Sequence, residues 1–252
     1  MPAGSGRLGF RFRRGDGTVG TPRAQRARAL MFFDFWTQGP GGNTNYYRGG
    51  DVNPETRVFP VIGPKLAAKG FEVDYVTSYS QLMNIDLNQY AQIWDVGYAS
   101  PYIGNPTVDP TNKLTAYLQN GGAMFIIGEN SWFGARDDAI DIFVTSLGGG
   151  DIVRSFVDHN FVLTSTVYSE FRLANQTATT RFNRPGTLTR IGTATPIASG
   201  VGSEPCAVIW KTGSLSQATA GTVATVLDVN IFTASYLESD FIDNLILSIN
   251  VK

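Results

Sequence analysis

The stretch GGAMFIIGENSWFGARDD, residues 121–138, joins an apolar run to a polar corner and then to a helix-like segment. Its core, AMFIIG (123–128), is continuously apolar rather than alternating, which predicts a strand covered on both faces. Gly121 and Gly122 close the amphipathic stretch before it, Thr111 to Asn120, as glycines close helices. After the run, Glu129, Asn130 and Ser131 stand where a strand gives way to a helix from Asp137 to Leu147, ended by GGG (148–150). In many α/β enzymes the nucleophile occupies such a corner. The question is whether this one holds chemistry or only the shape of a site.

Working outward, the same alternation recurs. ALMFFDFW (29–36) reads as an apolar strand leading into the loop TQGPGGNTN. Asn53-Pro54-Glu55 reads as a helix start with Asn as cap and Pro at the first position, running to Lys69 and stopped by Gly70. Pro60 and Pro64 inside that span predict a kink or a late start. EVDYVTS (72–78) and QIWDVGY (92–98) are further strands, and TVATVLDVNIF (222–232) returns to the buried pattern. A last helix, Ser239 to Ile249, puts Phe241, Leu245, Ile246 and Ile249 on one face. Strands at 29–35, 72–77, 92–97, 123–128 and 222–228 separated by helices predict a three-layer α/β domain, with a mainly parallel sheet and helices on both faces. Between residues 151 and 220 the Thr-rich segments DIVRSF, FVLTSTVY, TLTRIGTATPIA and CAVIWKT predict a β-rich insertion of antiparallel strands or hairpins extending that sheet.

Charge divides the chain. Residues 1–28 hold seven arginines against one acid, Asp16, for a net of +6, while the remainder holds 13 bases and 20 acids for −7. The expected organisation is a basic Gly/Arg-rich arm over 1–28 and a single domain over 29–252. An acidic body excludes nucleic acid as a partner of the domain. The arm lacks the 7–15-residue apolar core of a secretory signal. It reads either as a flexible tail upstream of the true start, as an arm docking on a neighbouring subunit, or as a nucleic-acid tail. Within it Leu8, Phe10 and Phe12 alternate with Arg7, Arg11 and Arg13, followed by Arg14, a strand-like pattern. No stretch reaches the roughly 18 apolar residues of a membrane span. The lone Cys206, in CAVIW, excludes an internal disulfide and reads as a buried strand residue.

The first strand with its Gly-rich loop, WDVGY, YLQNGGAMFIIGEN and a late strand ending in LDVN together resemble the class I glutamine amidotransferase-like superfamily, a flavodoxin-like α/β group that includes the trehalose-utilisation type. GGAMFIIGEN and GTVATVLDVN are also similar to uncharacterised bacterial exported or surface proteins of this fold. The resemblance covers 29–150 and 221–252. Catalytic members place a cysteine after the fourth strand, with a histidine farther on. Here the corner reads Gly128-Glu129-Asn130-Ser131 and Cys206 lies far downstream, so the resemblance implies a divergent member lacking that nucleophile. Ser131 would need His159, the one histidine, as its base.

What the strand ends do carry is acid and amide. Asp34, Asp95, Glu129 and Asp228 fall at the carboxyl ends of predicted strands, where open parallel sheets bind ligands, with Asn130 and Asn230 beside two of them. Such carboxylates can act on glycosides, can hold a divalent cation, or can cap helices and brace loops. Trp36, Tyr98 and Trp132 among the nearby aromatics can stack on a glycan or form a subunit contact. GPGGN (39–43) lacks the spacing of a phosphate loop, so no organic cofactor is expected. Arg136, Asp137 and Asp138 read as charges at a helix start. Two classes of function follow. One is a non-catalytic structural or binding module, exported or at the cell surface, that assembles with itself and binds glycan. The other is a carbohydrate-acting hydrolase using the acidic corner.

Overall fold

The computed structural model describes residues 27–33, 54–97, 109–155, 162–172, 178–234 and 237–249. The arm residues Arg7, Phe10, Phe12, Arg13 and Arg14, the cap Asn53, and Asp34, Trp36, Tyr98 and His159 lie outside the described residues.

Five parallel strands form the centre: β1 (Arg28–Phe32), β2 (Glu72–Val76), β3 (Gln92–Asp95), β4 (Ala123–Ile127) and a late strand, Thr222–Val226. Leu30, Met31, Ile93, Trp94 and all of Ala123–Ile127 are buried, as continuous apolar strands in a doubly covered sheet must be. The strands expected at 72–77, 92–97, 123–128 and 222–228 end one to two residues earlier, where the chain leaves the ladder, and the end of the one expected at 29–35 lies outside the described residues. Four helices carry most of the layers: α1 (Phe59–Ala68), α2 (Tyr79–Met83), α3 (Thr111–Gln119) and α4 (Gly134–Ser146), with α5 (Ser239–Ser248) last. The helix expected from residue 53 starts late. Pro54–Val58 forms a wider turn, and α1 begins at Phe59 with Pro60 in its first turn, where a missing N–H costs nothing.

Two cores separate the layers. On one face Phe59, Ile62 and Leu66 of α1 and Phe241, Ile242, Leu245 and Ile246 of α5 pack on Ala29, Met31, Trp94 and Phe125. On the other, Tyr79, Leu82, Leu114, Leu118, Ile140 and Phe143 from α2, α3 and α4 pack on Leu30, Phe32, Ile93 and Met124. Helices therefore cover both faces.

The β-rich segment splits three ways. β5 (Ile152–Arg154) pairs with β8 (Leu188–Ile191), and β6 (Val162–Thr166) pairs with β7 (Thr179–Asn183), both antiparallel. β10 (Pro205–Trp210) joins the main sheet antiparallel to the late strand, which is β11, and β9 (Thr195–Ser199) pairs antiparallel with β10 at the edge. The sheet order is β2-β1-β3-β4-β11-β10-β9. Strand order reverses between β1 and β3, the place where doubly wound sheets open a crevice at their carboxyl ends.

Candidate functional site: the carboxyl edge of the sheet

Three of the central strands, β3, β4 and β11, deliver a buried acid at this edge: Asp95, Glu129 and Asp228. Asp95 closes β3 and is fully buried. One of its oxygens, Oδ1, accepts from the Gly97 amide at 3.1 Å. Its Oδ2 faces Arg136 Nη2 at 2.9 Å, and Arg136 is also fully buried. Arg136 Nε donates to the Ile127 carbonyl at 2.8 Å, so the guanidinium ties the ends of β3 and β4 to the first turns of α4. Burial pushes the Asp95 carboxyl above its ordinary range, while Arg136 and the Gly97 amide pull it back. Removing one member of a buried pair of this kind typically costs about 3–5 kcal/mol, because the other charge is left uncompensated.

Glu129 follows β4 and is 2% exposed. Its Oε1 accepts from the Val229 amide at 2.8 Å and its Oε2 from the Asn130 amide at 3.0 Å. The Glu129 amide in turn donates to Asp137 Oδ1 at 3.1 Å. Asp228, after β11, is fully buried and accepts from the Asn183 amide at 2.5 Å and the Asn230 amide at 2.8 Å. Burial raises the Glu129 carboxyl well above its usual range, reinforced by the charge of Asp228. Burial likewise lifts Asp228 to about 7 and Asp137 to about 8, against backbone amides that favour the charged forms.

Among the described residues, the segment Asn183–Gly186, leading from the end of β7 toward β8, covers the β4 and β11 ends of this edge. Asn130 Nδ2 donates to the Arg184 carbonyl at 3.2 Å, and Asn230 Nδ2 to the Asn183 carbonyl at 3.2 Å. The Gly186 amide donates to the Leu227 carbonyl at 2.8 Å. A Cβ at Gly186 would lie 2.4 Å from the Glu129 carbonyl oxygen, so only glycine lets the loop sit this close. Arg184 takes φ of 60°, a left-handed conformation that turns the loop over the corner.

The sequence-predicted site residues therefore separate. Glu129, Asn130, Asp228 and Asn230 do converge, bridged by Val229 and the Asn183–Gly186 loop. Asp95 belongs to a separate buried pair with Arg136. Asn130 also caps the short turn Ser131–Phe133, its Oδ1 accepting from the Trp132 amide at 3.1 Å. Ser131 stands in that turn, and its proposed base, His159, lies outside the described residues. Trp132 is 54% exposed on the outside of the corner. Among the described residues no group of three or more His, Cys, Asp or Glu side chains is arranged to hold a metal ion. A small cavity beside α4, walled by Asp138, Asp141, Arg154 and Leu188, has neither Glu129 nor Asp228 in its lining. Cys206 is fully buried in β10, its thiol donates to the Ala198 carbonyl at 3.6 Å, and burial pushes its pKa up.

Sequence reasoning missed Arg136, Asp137 and the Asn183–Gly186 loop. A charged pair at a helix start reads as solvated. The only local signal for the loop is Asn-Arg-Pro-Gly, a turn-forming composition that does not say where the turn lands.

No family model matches the chain, and no curated relative matches it. Solved structures match its fold. A cytoplasmic protein from Salmonella typhimurium superposes with a TM-score of 0.57 at 12% identity, covering 88% of this chain and 99% of that one. A ThuA-like protein from Bacteroides uniformis gives 0.53 at 14% identity, covering 92% and 94%. A glutamine amidotransferase from Thermotoga maritima gives 0.51 at 10% identity, covering 89% and 96%. At these identities the likeness is one of fold. The chain has a glutamine amidotransferase-like α/β architecture.

Proposed function

We propose that the chain is a non-catalytic structural or binding module that assembles with itself through its basic N-terminal segment. The observation that carries the first part is the state of Glu129. At the position where an elbow nucleophile would stand, its two carboxylate oxygens accept backbone amides from two different loops, and the residue is closed over. A general acid or nucleophile must reach a substrate atom. Asp228, the other acid of the corner, is bonded in the same way. The hydrolase reading needs these carboxylates on an open cleft, and their burial favours the module. Support for assembly comes from charge: a +6 segment on a −7 body is suited to contacts between copies, where opposite patches attract and set register.

The test of the catalytic question is an assay of the purified chain against chromogenic glycosides and against glutamine. The expected outcome is no turnover above the buffer blank for either substrate. Turnover that disappears in Glu129→Gln while the circular dichroism spectrum is unchanged would contradict the non-catalytic reading.

A further inference from the structure

The main sheet ends at β2, and no described strand lies on its outer side. The ladder shows which backbone groups are left open there. The Glu72 amide donates to the Ala27 carbonyl at 2.8 Å, and the Phe33 amide to the Val76 carbonyl at 3.2 Å. In a parallel pair with this register, Glu72, Asp74 and Val76 turn their N–H and C=O groups toward β1. Those of Val73 and Tyr75 therefore point away from the sheet. An edge of this kind is a template for an added strand.

The two faces of that edge differ in chemistry. On the α1 side, Tyr75 is 48% exposed and packs at a tilt against Phe59, with ring centroids 4.8 Å apart. With Pro60, Pro64, Thr77 and Glu55 these rings line an open groove of about 420 Å³. The opposite face of β2 carries Glu72 and Asp74. Asp74 already pairs with Arg28 at 2.6 Å, whose guanidinium lies 4.8 Å over the Tyr90 ring, and Glu72 is exposed. An incoming strand that fits must be apolar and aromatic on one side and basic on the other.

The segment RLGFRFRR, residues 7–14, has that pattern: Leu8, Phe10 and Phe12 alternate with Arg7, Arg11 and Arg13. It also lies within reach. Residues 15–27 tether it to Ala27, which is bonded to Glu72 at the foot of β2. Thirteen residues span up to about 43–47 Å when extended, ample for the step to a strand roughly 5 Å beyond β2.

We propose that residues 7–14 add to the sheet as a strand along β2, with Leu8, Phe10 and Phe12 over the Phe59–Tyr75 groove and the arginines over Glu72 and Asp74. This names the receiving surface for the assembly proposed above and rests on that reading only for the identity of the donor copy.

Amide hydrogen exchange tests it, because among the described residues nothing accepts from the N–H groups of Val73 and Tyr75, and an added strand would. In the full chain their exchange should be slowed at least tenfold relative to a chain lacking residues 1–26, and relative to the full chain carrying Phe10→Asp and Phe12→Asp. Equal rates in all three, whether fast or slow, overturn the proposal. Light scattering on the same samples separates it from the assembly reading. Protection with an arm-dependent oligomer supports both. Protection in a monomer supports the docking surface and sinks self-assembly, since the arm then folds back on its own sheet. An arm-dependent oligomer without protection at Val73 and Tyr75 sinks the docking surface and leaves assembly standing.

Discussion

Asp137 and Asp228, with Glu129 beside them, contribute to the pH response of the molecule. Both ionise in the folded state at higher pH than their ordinary value of 3.8, at about 8 and about 7, because burial disfavours their charged forms. A group whose folded pKa is raised contributes stability that is complete below the unfolded value and is lost as pH rises through the folded one. Stability measured by urea unfolding should therefore fall from about pH 4 toward pH 8. Asp228→Asn should make the decline shallower below about pH 7, where Asp137 and Glu129 still contribute, and leave the part above it. A stability that climbs over the same window would show these carboxyls to be ionised and held by their amide donors. Arg136 makes the same point about environment from the opposite side. Nothing local in GARDDAI marks a buried guanidinium, since Arg beside two Asp residues reads as charges at a helix start. It is Asp95, more than forty residues earlier, that makes the burial tolerable.

Among the elements, the Asn183–Gly186 connection has the largest consequence for its length. It bonds to the ends of both β4 and β11, and Gly186 approaches the Glu129 backbone more closely than any Cβ would permit. Gly186→Ala should destabilise the protein by about 1–3 kcal/mol, the usual cost of forcing an added carbon into packed space, read as a lower denaturation midpoint at unchanged m-value. An unchanged midpoint would mean that the loop lifts off the corner without penalty. This connection was also the least legible part of the chain. β1, β4 and β11 were readable because continuous apolar runs follow from burial on both faces. The Thr-rich segments were readable as β, and CAVIW with ATPIAS as an extension of the sheet. The splitting of the rest into two separate two-stranded sheets, one of them pairing β5 with β8 across β6 and β7, depends on long-range pairing, which alternation does not encode. Glu129, Asn130, Asp228 and Asn230 were recognisable as strand-end residues; the bonds that make them a brace join Glu129 to Val229, a hundred residues away, and the others to a loop some fifty residues away in sequence.

At the scale of the whole molecule, a fold shared with glutamine amidotransferase-like proteins carries, at the usual reactive corner, an acid that holds loops together. The two descriptions of that corner predict opposite effects on stability. Active-site groups are commonly kept at a cost to stability, so removing one leaves a protein unchanged or firmer. A brace works the other way: deleting its side chain leaves buried amides without acceptors, at about 1–3 kcal/mol for the unsatisfied groups. The decisive measurement is the unfolding free energy of Glu129→Ala at neutral pH beside the unsubstituted chain. The account predicts a loss of at least about 1 kcal/mol, since the amides of Asn130 and Val229 both lose their partner. A Glu129→Ala protein as stable as the unsubstituted chain, or more so, would contradict it and return the corner to the list of catalytic candidates.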